Sequence, residues 1–543
     1  MVVGVVKNIM AVTETKSETS LPVKTVAAVD IGSNSIRMAL AEVLSDGQVK
    51  VLDKLQRAVR LGQDTFRRGR MGGQTMRAAI AILRDYRQLM DFYHVERVRA
   101  VATSAIREAN NGDTFLDRIF MATGLDVEVI ETSEESRLIV SAVRKVVKDL
   151  SGENSVKTLI VDVGGGSTLL SLLQKGEIAE SYSMRLGSVR LQEMLETTNE
   201  PPEEATDILR QLIANEIAVV KSSLPLKKIG SFIAVGGDAR FAAQRIGKST
   251  GSAALYRITR NKFNKLIQQC EGYQPEELVK RFGIPFEDAE TLNPALLIYK
   301  LLLEATKARD VIVSQSTMRD GLLLDLAREV TGKEDETLSR GVIHSALAVA
   351  EKYHVDLAHA QNVADLSDQL FGDLEYLHGL GARYRLIIRV AALLHEVGWY
   401  VNTRAHHKHS YYLIANSEIF GLSRGDQLMV AHIARYHRRS CPRPSHLDYM
   451  NLPRERRMIV SKLAALLRVA DAMDASHTQQ VHQFRCERKE EEMIIFLGGV
   501  ADLTLKRRSL AAKKDLFEDI YGLKVRLEEE TLSSEESPGL KSN

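Results

Sequence analysis

The apolar and polar positions fall into stretches of different rhythm. From residue 25, short β-branched runs alternate with segments of helical spacing. Thr25–Ile31 and Ile36–Val43 are apolar runs split by Gly-Ser-Asn-Ser (32–35), the pattern of a strand, a tight turn and a strand. A third strand follows at Val49–Lys54. Apolar residues near 3.6 spacing predict a helix over about 73–93. Val98–Thr103 and Val127–Glu131 read as strands, and 112–123 and Glu134–Val147 as helices. Then the pattern restarts. Thr158–Val163, Thr168–Leu173 and Ile178–Met184 read as strands set around Gly-Gly-Gly-Ser (164–167). Beyond about 335 the strand rhythm stops, and residues 340–480 read as helical throughout. A short α/β stretch closes the chain, with strands near 493–497, 501–505 and 523–527 and a helix at 508–520. Residues 1–24 have no period, and 528–543 are rich in Glu and Ser, so both ends are expected to be disordered.

The restart is a duplication. Asp30-x-Gly32-x-x-Ser35 recurs as Asp162-x-Gly164-x-x-Ser167, at an offset of 132 residues. Internal repetition outweighs local propensity as a guide to architecture. It predicts two similar α/β lobes (25–133 and 134–330), then an all-helical domain (335–482) and a small α/β unit (483–527). Glycine lets backbone N–H groups turn toward an anion, so each Asp-Gly loop is a candidate phosphate cradle. Gly32, Gly164, Gly165 and Gly166 supply the backbone. Ser33, Asn34, Ser35, Ser167 and Thr168 add side-chain donors. Asp30 and Asp162 cannot bind phosphate themselves, but they can hold a divalent cation that bridges to it. A lone loop of this kind is more often a hairpin turn capped by Asp. Two in register favour the phosphate reading.

Composition narrows the class. The 543 residues are 44% hydrophobic and 27% charged, ordinary for a soluble globular protein. No apolar run reaches the ~18 residues of a membrane span, and the start does not read as a secretory signal. Cys270, Cys441 and Cys486 are few and far apart, which fits neither a disulfide framework nor a zinc spacing and points to a reducing cytoplasm. A net charge of +2 argues against a globally basic nucleic-acid binder.

Six motifs occur in a telling order: Asp-Ile-Gly-Ser-Asn-Ser-Ile-Arg (30–37), Val-Ala-Thr-Ser-Ala-Ile-Arg-Glu-Ala-Asn (101–110), Asp-Val-Gly-Gly-Gly-Ser-Thr (162–168), Leu-Gly-Ser-Val-Arg-Leu (186–191), Ala-Val-Gly-Gly (234–237) and Met-Arg-Asp-Gly-Leu (318–322). The set resembles the exopolyphosphatase / guanosine pentaphosphate phosphohydrolase family. The likeness spans about 25–330, and the remainder resembles the long exopolyphosphatases that add an HD-like domain. The resemblance implies an α/β fold of duplicated actin-like (ribonuclease H-like) ATPase-type domains, followed by an all-α HD-like domain and the small C-terminal α/β domain. It also implies a catalytic Glu in Ser-Glu-Glu-Ser-Arg (133–137), with Glu135 the first choice and Glu134 the second. Arg107 would clamp phosphate, and Gly236 and Gly237 would form a later phosphate loop. The implied cofactor is Mg²⁺ or Mn²⁺ at Asp30 and Asp162. Two departures stand out. Leu169 takes the place of a family Glu, and Asp238 follows the later Gly-Gly where Thr is usual. Either Asp238 or another acid compensates, or hydrolysis slows by on the order of 10²–10⁴-fold.

In the helical part, His359, His395-Glu396, His432, His437 and Asp471 resemble the HD phosphohydrolase superfamily, with Glu396 in place of the pair's Asp. The longer side chain changes ligand geometry. A degenerate scaffold that binds polyanion is therefore expected ahead of a second metal site. Charge supports this, since residues 401–468 hold twelve Lys/Arg against four Asp/Glu, a local excess of +8. Arg404, Lys408, Arg435, Arg438 and Arg439 are the candidate lane for inorganic polyphosphate. RNA ranks lower, because Tyr411, Tyr412, Tyr436 and Tyr449 are the few aromatics available for stacking. The expected activity is release of terminal phosphate from polyphosphate. Guanosine pentaphosphate hydrolysis, a polyphosphate kinase and a catalytically weakened sensor are the alternatives, and a sugar kinase shares only the fold. Homodimer formation is left open.

Overall fold

The computed structural model describes residues 24–147, 157–174, 176–195, 202–252, 254–271, 273–331, 336–417, 419–500 and 502–530. The expected N-terminal arm, apart from Lys24, and residues 531–543 of the expected tail lie outside these. The expected disorder from 528 is corrected at its start, because the last strand runs through Glu529.

Two sheets form the first 330 residues. The first contains β1 (Lys24–Ile31), β2 (Ser35–Val43), β3 (Val49–Ala58), β4 (Arg97–Ala102) and β5 (Val127–Val129), in the order β3-β2-β1-β4-β5. The second contains β6 (Lys157–Val163), β7 (Thr168–Gln174), β8 (Glu177–Met184), β9 (Ile229–Val235), β10 (Lys248–Ser249), β11 (Leu255–Thr259) and β12 (Asp310–Ser314), in the order β10-β11-β12-β9-β6-β7-β8. Read from the other edge, β8-β7-β6-β9-β12 repeats the first sheet strand for strand. In each lobe the opening strand pairs antiparallel with the next and parallel with the fourth. The Val, Ala and Ile of β1 are buried on both faces, as a central strand between helical layers requires.

Three helices set the geometry between the lobes: α1 (Thr132–Val146), α2 (Gly237–Ile246) and α3 (Met318–Thr331). Helix α1 carries Glu134 and Glu135 in its first turn and Arg144 and Lys145 in its last, matching the helix dipole at both ends. Helix α3 belongs to the second repeat by sequence but packs on the first sheet. Its Leu322, Leu323, Leu326 and Ala327 close over Val26, Ala28, Ala39 and Ala41. A Cβ at Gly321 would stand 2.2 Å from the Leu138 carbonyl oxygen, so only glycine lets α1 and α3 cross this closely. The second lobe expected at 134–330 thus gives its last helix to the first lobe.

The remainder is built on helices Leu357–Asp373, Arg383–Leu394, Arg424–Arg435 and Arg454–Met473, followed by β13 (Phe484–Lys489), β14 (Glu492–Leu497) and β15 (Lys524–Glu529). One core joins the helices to this small sheet, with Leu466 and Met473 in the same cluster as Ile495, Phe517 and Leu527. The boundary expected near 482 is therefore not a break in packing. The expected strand at 501–505 is a correction. Asp502 Oδ1 accepts the Thr504 N–H at 2.8 Å, and helix Thr504–Ala511 begins there instead.

Candidate active site

The two Asp-Gly loops sit at corresponding ends of β1 and β6 and close in the same way. Gly32 N–H donates to the Ser35 carbonyl at 3.1 Å, and Gly164 N–H to the Ser167 carbonyl at 2.9 Å. They touch across the lobes, since a Cβ at Gly165 would stand 3.0 Å from the Ser33 Cβ. Ser33 Oγ lies 3.3 Å from Ser104 Oγ, at the foot of the Thr-Ser-Ala motif. Arg190 ties the lobes together, donating to the Gly166 carbonyl at 2.7 Å and to Glu108 at 2.6 Å.

Between the loops lies a polar cleft of about 460 Å³. Its walls include Asp30, Gly32, Ser33, Asn34 and Ser35 from one loop, Asp162, Gly164, Gly165, Gly166 and Ser167 from the other, and Gly236 and Gly237 from the start of α2. Glu135 faces the same space from α1. Burial pushes the Glu135 carboxyl up to about 7, and the nearby Asp162 and Asp30 add to the rise while Arg107 opposes it. Burial likewise lifts Asp162 to about 6 and Asp238 to about 7. Three guanidinium groups, Arg37, Arg240 and Arg319, line the same walls. Burial and the other arginines pull Arg240 and Arg319 down. Arg37 Nε and Arg319 Nε and Nη1 are buried N–H groups with no acceptor among the described residues. Buried N–H groups without an acceptor are costly, so Arg37 and Arg319 are placed to meet an anion. The acids contribute oxygen donors only, the chemistry of a hard divalent cation. Among the described residues, they do not place three ligand atoms within reach of one ion.

Several expected residues lie elsewhere. Glu134 turns away from the cleft and pairs with Arg137 at 2.7 Å and Arg99 at 2.9 Å, so it is structural. Arg107 does not line the cleft. It donates to Glu135 Oε1 at 2.8 Å and to the Ile130 carbonyl, holding the acid rather than a phosphate. Thr168 is fully buried with its hydroxyl on the Leu186 carbonyl at 2.5 Å, which removes it from the cradle. Leu169 is buried among Ile139, Val140 and Ile160. It pairs with Asp162 across β6 and β7 as Arg37 pairs with Asp30 across β1 and β2. The acid that reaches the cleft is Asp238, in the first turn of α2.

The profile of the Ppx/GppA phosphatase family matches residues 42–330, and that of its domain III matches 343–519. The chain belongs to the Ppx/GppA phosphatase family. It is 26% identical over 459 residues to a guanosine-5'-triphosphate,3'-diphosphate pyrophosphatase of Aliivibrio fischeri, covering 83% of this chain and 88% of that one. It is 29% identical over 318 residues to exopolyphosphatase 2 of Mycobacterium tuberculosis, covering 56% of this chain and 98% of that one. The crystal structure of an exopolyphosphatase from Cytophaga hutchinsonii superposes with a TM-score of 0.51 at 22% identity, over 56% of this chain and 98% of that one. The fold is therefore the Ppx/GppA actin-like one, and the enzyme class is phosphatase.

Outside the Ppx/GppA cleft, the helical domain gathers the second set of expected residues. His359, His395 and Asp471 come together, and Glu396 lies beside His359. Burial, and after it the charges of Arg438, Arg439, Lys408 and Arg435 from the basic lane, pull the His407 imidazole down to about 4. His406 Nε2 stands 3.3 Å from His437 Nε2, joining the segments that carry them. Arg404 is exposed on the same segment as Lys408. Arg435 is partly engaged by Asp448 at 3.4 Å. No helix among the described residues is long and apolar enough to cross a membrane.

Gly236 is the tightest point of the third loop. Its φ is +120°, and a Cβ there would meet the Tyr299 hydroxyl at 2.7 Å. That hydroxyl is itself fixed between Val163 N–H and the Val235 carbonyl. Gly236→Ala is expected to cost about 1–3 kcal/mol and to raise KM more than it lowers kcat, measured by thermal unfolding and phosphate-release kinetics.

Proposed function

We propose that the protein is an exopolyphosphatase that removes the terminal orthophosphate of inorganic polyphosphate. The observation that carries this reading is the arrangement of Glu135 with the Arg37, Arg240 and Arg319 guanidinium groups in one cleft between two touching glycine loops. Loop N–H groups and Arg37, Arg240 and Arg319 bind the terminal phosphoryl oxygens and neutralise charge as the P–O anhydride bond breaks. Glu135 accepts a proton from the attacking water, and the shortened chain leaves as the anion. Asp30 and Asp162, with Asp238 in the place left by Leu169, would hold Mg²⁺ or Mn²⁺ through one or two carboxylates. Such an ion supplies charge neutralisation at the bridging oxygens.

Two features favour polymer over nucleotide. Among the described residues Phe241 is the one aromatic that lines the cleft, and it is engaged by Phe282 and Arg245 rather than free to stack on a base. The cationic cluster around His407 offers further anchorage for a long anion. The Aliivibrio fischeri relative, similar over most of the chain, supports guanosine pentaphosphate hydrolysis as the second reading. Parallel phosphate-release assays with Mg²⁺ on long-chain polyphosphate and on guanosine pentaphosphate separate them. The expected result is a kcat/KM for polyphosphate at least about tenfold higher, with a steep salt dependence. Release from the nucleotide alone would overturn the assignment.

A further inference from the structure

The duplicated lobes differ at one matched place. In each, the Asp that opens the loop belongs to a row of three residues paired across adjacent strands. The first lobe has Asp30 on β1, Arg37 on β2 and Gln56 on β3. The second has Asp162 on β6, Leu169 on β7 and Ser183 on β8. Residues paired directly in an antiparallel ladder lie on one face of the sheet, so each row is continuous. In the second lobe the row is closed, because helix α1 lays Ile139 and Val140 over Leu169. In the first lobe it stays open. The apolar contacts of α3 reach Ala28 and Ala39, two residues further along the same face, and leave Arg37 and Gln56 on the cleft wall. Gln56 is exposed, and β3 is an edge strand of its sheet. With about 4.8 Å between strands, the row leads roughly 10 Å from the Asp30 loop to the rim of the lobe.

The two walls of the cleft also differ in charge. Arg319 lines the cleft together with this row, and Arg37 and Arg319 both carry buried N–H groups without an acceptor among the described residues. The facing wall presents Asp238, Asp288, Ile284 and Leu292. Among the described residues that this second wall adds to the lining, Arg240 is the one cation. A polyanion gripped at its end between the loops therefore meets carboxylates and apolar surface on one side, and cations and an amide donor on the other.

Resting on the assignment of polyphosphate as the substrate, we propose that the phosphates behind the scissile bond lie along Arg37 and Gln56, and that the polymer leaves the cleft over β3. The Gln56 side-chain amide donates to a phosphate oxygen there. It is a binding residue for the length of the chain and takes no part in the chemistry at its end.

The test compares matched variants of the two walls by their KM for long-chain polyphosphate, at low and at high salt. Gln56→Glu sets a carboxylate against the chain and should raise KM about tenfold with kcat little changed. Gln56→Lys should lower KM about fivefold, a gain that misfolding cannot produce. Both shifts should shrink as added salt screens them, which a purely structural effect would not do. Gln244→Glu makes the same change on the facing wall, where α2 carries Gln244, and should move KM by less than about threefold. An equal or larger rise in Gln244→Glu, or a KM unmoved in both Gln56 variants, would overturn the path while leaving polyphosphate as the substrate. Phosphate release from guanosine pentaphosphate alone would instead remove the substrate assignment and the path with it.

Discussion

Glu135→Gln is expected to lower phosphate release by roughly 10²–10⁴-fold with KM little changed, because the amide keeps the shape of the side chain but cannot accept the proton of water. The pH profile carries the sharper signature. The carboxyl is raised to about 7 by burial, with Asp162 and Asp30 adding and Arg107 opposing. The active form is the carboxylate, so kcat/KM should rise with pH up to about 7 and then level. Arg107 touches the acid rather than the cleft, which makes it a positioning residue. Arg107→Met removes the cation that lowers the Glu135 value. The acid limb should therefore move to higher pH, while activity at high pH falls much less than in Glu135→Gln. An unshifted limb in Arg107→Met would sever the link between the two residues.

The residues that could be read from the sequence are those whose meaning lies in repetition. The Asp-Gly loops were legible because Asp30 to Ser35 recurs at Asp162 to Ser167, and the matching loop hydrogen bonds follow from that. Facing was less legible. Glu134 and Glu135 are neighbours in a first helical turn, so they point roughly 100° apart. One reaches the cleft and the other the Arg99–Arg137 pair, and composition cannot say which. Thr168 looked like a donor beside Ser167, yet it begins a strand whose pleat turns its hydroxyl inward. The three cleft arginines come from β2, α2 and α3, elements far apart in sequence. Arg37 and Arg319 sit inside recognisable motifs, but their joint role depends on α3 crossing back to the first lobe, a tertiary event. In the helical domain the histidines were visible as a set, whereas the acceptors at their Nδ1 atoms, Asp474 for His359 and the Ala392 carbonyl for His395, carry no signal of their own.

The crossing of α1 and α3 should also be the most sensitive point for stability, and Asp325→Ala is expected to cost about 3–5 kcal/mol. Arg137 is buried and shares Asp325 with Arg99, whose Nη1 lies 2.8 Å from Oδ2, and with Arg328 at 3.1 Å. Glu134 bonds both Arg99 and Arg137, and Glu128 reaches Arg99 at 3.2 Å. Removing Asp325 leaves the buried Arg137 with Glu134 alone, which it shares with Arg99, while Arg99 keeps the more exposed Glu128 as well. The double variant Arg137→Met with Asp325→Leu removes one charge of each sign, so it should cost less than Asp325→Ala alone. Burial pushes the Asp325 carboxyl up, but Arg137, Arg99 and Arg328 outweigh it and hold it below the ordinary carboxylate range. A depressed folded-state value means that the stabilisation is complete above the unfolded value of about 4 and is lost as pH falls through the lower folded one. Urea unfolding should therefore show a large gap between wild type and Asp325→Ala at neutral pH that closes as pH falls below the ordinary carboxylate range. Far-UV circular dichroism is the suitable probe, since the single tryptophan, Trp399, lies in the helical domain and not at this crossing. Helix α1 also carries Glu135, so loss of phosphate release should track this unfolding step in the variant. A gap that stays constant with pH would show that Asp325 acts by packing and not by charge.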